Sequence, residues 1–193
     1  MSKQIELFKI SKPLVYVYIN IAQFTPSEVQ FIKHVISNAK HGYSSHISFI
    51  FNTTPTETLS IHSLQKYLTV IVFKFSKSRI QQIYPNEQHI HNMSFTTIGR
   101  HPTTIVFNSD NWNTKPAKFT MELDKYRTYL INHEFGHALG LLEHQKKTVA
   151  VCPLMYQQTL GTENCKEIHL YPTNTQLKQV HTFVTNVNKR MRL

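Results

Sequence analysis

Two histidines four residues apart, with a glutamate directly after the first, constrain this chain more than any other feature: His133-Glu134-Phe135-Gly136-His137. At that spacing two imidazoles stand one above the other on a helix face, near enough to share one small cation. Glu134 then points beside the cation and is placed to accept a proton from a metal-activated water. The flanking residues favour a helix from about Glu122 to Leu139. Glu122 and Asp124 suit its start, and Tyr126, Leu130, His133 and His137 recur along one stripe. Gly140 suits a left-handed turn that closes the helix and redirects the chain. On an uninterrupted helix His144 would lie roughly 10 Å along the axis from His137, too far to share a metal. The competing meaning of the pair is two partly buried histidines, each satisfied by hydrogen bonds.

Histidines are abundant here, 12 in 193 residues, in a chain whose 21 Lys+Arg and 11 Asp+Glu leave a formal charge of +10. That charge alone suggests nucleic acid or an acidic membrane surface as partner. The length suits one domain with a continuous core, and 40% apolar residues exclude a disordered or collagen-like chain. Two cysteines exclude a disulfide-dense scaffold. Met1 to Pro13 lacks an unbroken apolar stretch, and Leu14 to Ala22 carries Tyr16, Tyr18 and Asn20, so neither reads as a signal peptide. No run approaches the roughly 20 apolar residues of a membrane span. A soluble protein, intracellular by default and with no membrane partner, is the expectation.

Periodicity lays out the remaining elements. Leu14 to Ile19 is β-branched and aromatic, and reads as a strand buried on both faces. Thr25-Pro26-Ser27-Glu28 opens a helix that Val29, Ile32, Val35, Ile36 and Ala39 carry to about Lys40. Ser45 to Phe51, Tyr67 to Phe75 and Thr103 to Asn108 read as further strands, the second with Val70, Val72 and Lys74 on one face. Asn86 to Pro102 reads as a long polar surface loop, and its His89, His91 and His101 as incidental surface residues. A last helix starts near Pro172-Thr173-Asn174. The order is α+β, with strands grouped early and the site helix late. One domain spans 1–193, with a core over 13–171 and a C-terminal helix over 172–193.

The stretch H-E-x-x-H-x-x-G followed by a downstream Met resembles the metzincin clan of zinc endopeptidases. More closely, the chain resembles a bacterial family of uncharacterised metzincin-like domains. Ile105 to Asn108 with Trp112 is similar to that family's strand leading to a Trp. Tyr126-Arg127-x-Tyr129-x-x-Asn132-His133-Glu134-x-Gly136-His137-x-Leu139-Gly140 is similar to its extended helix signature. Cys152-Pro153-Leu154-Met155-x-Gln157-Gln158-Thr159-x-Gly161, then Cys165, is similar to its Met-turn segment. Correspondence is good over 104–165, while from Leu14 to Thr103 only the order of elements fits. The resemblance implies a zincin fold: a twisted mixed sheet, mostly parallel, backed by two main helices, then a Met-turn and a C-terminal helix. It implies one catalytic Zn2+, Met155 as the hydrophobic floor beneath it, and a bridge between Cys152 and Cys165, with free thiols an equal possibility in a chain without a secretion signal.

The clan places its third ligand three residues after the Gly, where this chain has Glu143, with His144 next. Zinc accepts either donor; neutral imidazole is the usual one in the clan, which favours His144 over Glu143. Tyr156 stands one residue beyond Met155, whereas some metzincins place an oxyanion-stabilising Tyr two beyond, so packing is the better expectation. Asn132 lies on another helix face and reads as structural. The expected function is a zinc metalloendopeptidase acting on a peptide or protein, with Glu134 as general base and the sheet edge at Thr103 to Asn108 holding extended substrate. Two other functions compete. One is a basic nucleic-acid-binding module using Lys178, Lys189, Arg190 and Arg192; the other is a zinc-binding interaction protein that cleaves nothing.

Overall fold

In the computed structural model, which describes residues 11–53, 66–148 and 150–192, the first β-branched run forms strand β1 over Leu14–Ile19. Parallel neighbours flank it on both sides, β2 (Ser48–Asn52) and β3 (Leu68–Phe75). Strands β4 (Phe95–Thr96) and β5 (Thr103–Asn108) complete the sheet: β5 runs parallel to β3, and β4 runs antiparallel along the far side of β5. The order across the sheet is β2-β1-β3-β5-β4. A mostly parallel sheet must be covered on its faces. The alternating residues Val15, Val17 and Ile19 of β1, Val70 and Val72 of β3, and Ile105 and Phe107 of β5 therefore turn to the main core.

Helices supply the cover. In α1 (Pro26–Ser37), Thr25 and Glu28 form a reciprocal capping box, and Val29, Ile32, Val35 and Ile36 are buried. It stops short of Lys40 because the Asn38 side chain accepts from the main-chain N–H groups of Lys40 and His41 and so competes with the helix. The site helix α4 (Leu123–Ala138) and the last helix α5 (Asn174–Arg190) join α1 in the same core. Two short helices too brief to show a period also form, α2 (Lys77–Ile83), capped by Ser76, and α3 (Ser109–Thr114), capped by Asn108. Ile80 of α2 packs with Ile90 and Val106 on the other side of the sheet. Between α4 and α5 lie β6 (Val151–Cys152) and β7 (Glu167–Ile168), a parallel pair, with a 3-10 turn at Gln158–Leu160 between them. The architecture is mixed α/β with a mixed sheet, consistent with the α+β expectation. Among the described residues no helix is long and apolar enough to cross a membrane.

The segment 86–102 departs from the expected surface loop. It holds a single 3-10 turn, Gln88–Ile90, and strand β4. His91 is buried there, with its Nε2 2.8 Å from the carbonyl of Tyr84, so it is a structural residue rather than an incidental surface one. The expected substrate-binding edge is also corrected: Thr103–Asn108 lies inside the sheet, because β4 covers its outer side. A two-residue strand carries no alternation that a sequence window can detect.

Lys74 faces the core side of β3, as its spacing from Val70 and Val72 requires, and its charge needs a partner there. Its Nζ donates to both carboxylate oxygens of Glu28 at 2.8 Å. The same carboxylate accepts from Trp112 Nε1 at 2.7 Å and from the main-chain N–H of Thr25 at 2.7 Å. One residue thus caps α1 and ties it to β3 and α3. Burial pushes the Glu28 carboxyl up, but the hydrogen bonds from Lys74, Thr25 and Trp112 outweigh it and hold the pKa below its ordinary value. A depressed carboxyl contributes stability above its unfolded pKa of about 4.3 and loses it as pH falls through the folded value. Both partners are only 14% exposed, so Glu28→Ala leaves a largely buried ammonium unpaired and should lower stability at neutral pH by about 3–5 kcal/mol. Urea unfolding measures that loss, and the acid limb below about pH 4 should flatten in the variant.

Candidate metal centre

Helix α4 is buried all round: every residue from Thr128 to Ala138 is shielded from solvent. It ends where Gly140 enters the left-handed region at φ 100°. The Leu141 N–H donates to the carbonyl of Gly136 at 2.8 Å and the Gly140 N–H to that of His137 at 3.1 Å, the paired bonds of a Schellman stop. A Cβ at Gly140 would run into the ring of Phe183 on α5, so both backbone and packing require glycine here. The reversal brings residue 144 back over the helix.

Three imidazoles meet as a result. The ligating nitrogens of His133, His137 and His144 all lie within 4.8 Å of one another, and His137 Nε2 is 3.1 Å from His144 Nε2. The His133 and His137 rings are perpendicular at 4.8 Å between centroids, as are His137 and His144, while His133 and His144 stack at 5.3 Å. His133 Nδ1 is 2.8 Å from the carbonyl of Leu154, and His137 Nδ1 is 2.7 Å from that of Leu141. A carbonyl only accepts, so both Nδ1 atoms carry the proton and both Nε2 atoms present bare lone pairs. Without a cation, His144 Nε2 satisfies His137 by donating a hydrogen bond; with one, all three Nε2 atoms can turn their lone pairs to it. The residues therefore fit a bound metal ion. Burial depresses the imidazole pKa values, to about 3 for His133 and about 4 for His137. They stay neutral, as metal ligands must.

Glu134 is buried on the neighbouring side of the helix. Thr96 of β4 places its hydroxyl 2.7 Å from Glu134 Oε2 and 3.0 Å from the Glu134 carbonyl. Burial pushes the Glu134 carboxyl up to about 7, against the lowering effect of the Thr96 hydrogen bond. A cleft of about 220 Å³ opens over the group and is lined by the three imidazoles, Glu134, Thr96 and Tyr129, with apolar walls at Met93, Ile98 and Leu142. Thr96 escapes sequence reasoning because it sits in a two-residue strand; Tyr129 is visible there only as part of the resembled helix signature, with no role attached. The Tyr129 hydroxyl is occupied, donating to the Tyr156 carbonyl at 3.2 Å and accepting from the Gln158 N–H at 3.0 Å. His89 is exposed and lines the same cleft.

The remaining predicted residues separate cleanly. His144, not Glu143, joins the cluster; Glu143 is exposed and lines a different hollow with Gly140 and Gln176. Met155 is buried against Gly136, where an added Cβ would come within 2.8 Å of its sulfur and 2.9 Å of the Tyr43 hydroxyl. That approach explains a glycine inside the motif. Tyr156 lies outside the cleft with Lys147 Nζ 5.6 Å from its ring centre, as packing requires. Asn132 is structural: its amide donates to the Leu170 carbonyl at 2.8 Å, and its own carbonyl accepts from Tyr43 at 2.6 Å. Cys152 and Cys165 are bridged, with 5.6 Å between Cα atoms. The bridge closes the segment that delivers Leu154 and Met155 to α4.

Residues 70–189, from β3 to the last turn of α5, match a family described as a protein of unknown function, DUF3152. The chain belongs to this family. The matched region contains the residues that build this cleft, from His89 to Thr159. No curated protein matches the chain.

Two outcomes test this geometry. The buried imidazoles of the metal-free protein take protons less readily than the unfolded chain, while Glu134 takes them more readily. Two depressed imidazoles outweigh one raised carboxyl, so metal-free stability should fall as pH drops from about 6.5 toward 4. Thermal unfolding across that range, with and without added divalent metal, reads it, and the metal should raise Tm above about pH 5. Separately, replacing Cys152 and Cys165 by Ser opens a short loop and should cost about 3 kcal/mol in denaturant unfolding.

Proposed function

We propose that this DUF3152 chain is a zinc-dependent metallopeptidase with a metzincin-like fold. One observation carries the reading: three imidazoles, two of them with their Nε2 lone pairs bared by Nδ1–carbonyl bonds, converge beside a buried carboxylate at the base of an open cleft. Zinc is the ion this donor set suits best. Nitrogen ligands at zinc distances in tetrahedral geometry stand ~3.3 Å apart, close to the 3.1 Å between His137 and His144. Three protein ligands leave one position open, the arrangement of catalytic rather than structural zinc. The segment that delivers Met155 supports the metzincin reading, with Met155 as an apolar support under the ligand helix.

When bound, zinc supplies Lewis acidity, polarising a carbonyl and making water a nucleophile near neutral pH. Everything else falls to the protein. Carbonyls of Leu154 and Leu141 hold the His133 and His137 rings in their tautomer. Glu134 takes a proton from the attacking water and returns it to the leaving amine. Beside a divalent ion the Glu134 carboxyl, raised to about 7 by burial, would ionise more readily and so serve as a base at neutral pH. Strand β4 ends the sheet beside the cleft and offers its outer main chain to an extended peptide. The disulfide supports folding in an oxidising compartment, in place of the intracellular location expected from the N-terminal residues.

Glu134→Gln should retain stoichiometric zinc and lose hydrolysis of a mixed peptide library by about 10²–10⁴-fold. Cleavage that survives this substitution or a chelator would sink the assignment. Zinc bound by a wild-type protein that cuts nothing would support the interaction-protein reading instead.

A further inference from the structure

We propose that the hollow next to His144, rimmed by Lys146 and Lys147, is a subsite for a carboxylate side chain of the peptide bound in the cleft; this rests on the metallopeptidase reading. The hollow is lined by His144, Gln145, Lys146, Lys147, Tyr156 and Gln157, and it shares His144 and Gln157 with the main cleft. The two compartments therefore adjoin at His144, within reach of one extended peptide that crosses the imidazoles. The two compartments differ in chemistry. The main cleft has apolar walls and a single carboxylate, Glu134, while the second hollow has two ammonium groups and no carboxylate.

The charges there are uncompensated. Among the described residues the ion pairs are Lys74 with Glu28, Arg127 with Asp124 and His169 with Glu167, so neither Lys146 nor Lys147 has one. The acidic neighbour in sequence, Glu143, lines a separate hollow with Gly140 and Gln176. Lys147 is held 5.6 Å over the Tyr156 ring, a contact that positions an ammonium without neutralising it. Gln157 adds an uncharged amide at the junction. An acidic residue entering this hollow meets two donors and a favourable field, and a basic one meets repulsion.

The test uses the full chain carrying Glu134→Gln, loaded with zinc, and two fluorescein-labelled hexapeptides that differ only in Glu against Gln at both ends. Fluorescence anisotropy at low salt should show the Glu peptide bound about tenfold tighter, with the gap narrowing at high salt. Lys146→Ala with Lys147→Ala should bring the Glu peptide down to the affinity of the Gln peptide at unchanged zinc content. Removing equal charge from α5, Lys178→Ala with Lys189→Ala, should preserve the preference. Equal affinities, no binding of either peptide, or a preference that survives loss of both Lys146 and Lys147 overturns the subsite. A single-stranded oligonucleotide bound as tightly, and released by the same pair of substitutions, overturns it in favour of a general polyanion surface. Wild-type protein that shows the preference yet leaves both the Glu peptide and the mixed peptide library uncut removes the peptidase reading and leaves the subsite standing.

Discussion

A helix buried on every side from Thr128 onward must find an internal partner for each polar group it carries there, and most of this structure follows from how α4 meets that demand. Leaving a polar side chain unpaired in such a place costs about 1–3 kcal/mol. Asn132 reaches Leu170, and Tyr43 reaches the main chain of Asn132. His133 turns to Leu154, His137 to Leu141, and Glu134 to Thr96. These partners come from the turn before β2, from β4 and from the segment after α4. The polar residues of one helix therefore specify where three distant pieces of chain must lie. Among the described residues Asn132 Oδ1 has no partner, and there the demand is incompletely met.

The same bonds prepare the site. Hydrogen bonds made for burial fix which nitrogen of each ring bears the proton and aim the other at a common point. The chain reversal at Gly140 adds the third ring, and Gly136 lets Met155 approach the helix closely. A covalent bridge and a hydrogen bond converge on the segment around Leu154, so the support under the ligand helix is held from both directions. Rigidity of this kind lowers the reorganisation needed when a cation enters or leaves.

Legibility differed sharply between elements. Strands β1 and β5 and helices α1, α4 and α5 were evident because each holds a period long enough to count, and α4 carries its own stop in Gly140. Strand β4 is invisible in the sequence because two residues have no period, and its pairing with β5 is a long-range choice. That one omission displaced the expected substrate edge onto β5 and hid Thr96. A histidine in a polar stretch, such as His91, is usually solvated; here the fold closes over it and Tyr84 satisfies it.

Local chemistry written in the chain was enough for the ligand helix, its closing glycine, the first two imidazoles and the carboxylate between them, since spacing along a helix converts directly into position on a face. The choice of His144 over Glu143 belonged to tertiary structure. Adjacent residues in a loop point in different directions, and which one turns inward depends on the whole reversal at Gly140 and its packing against Phe183. Bridging of the cysteines and pairing of Lys74 with Glu28 likewise waited on the fold. Each joins residues whose separation along the chain carries no information about their distance in space, until burial of the shared core brings them together.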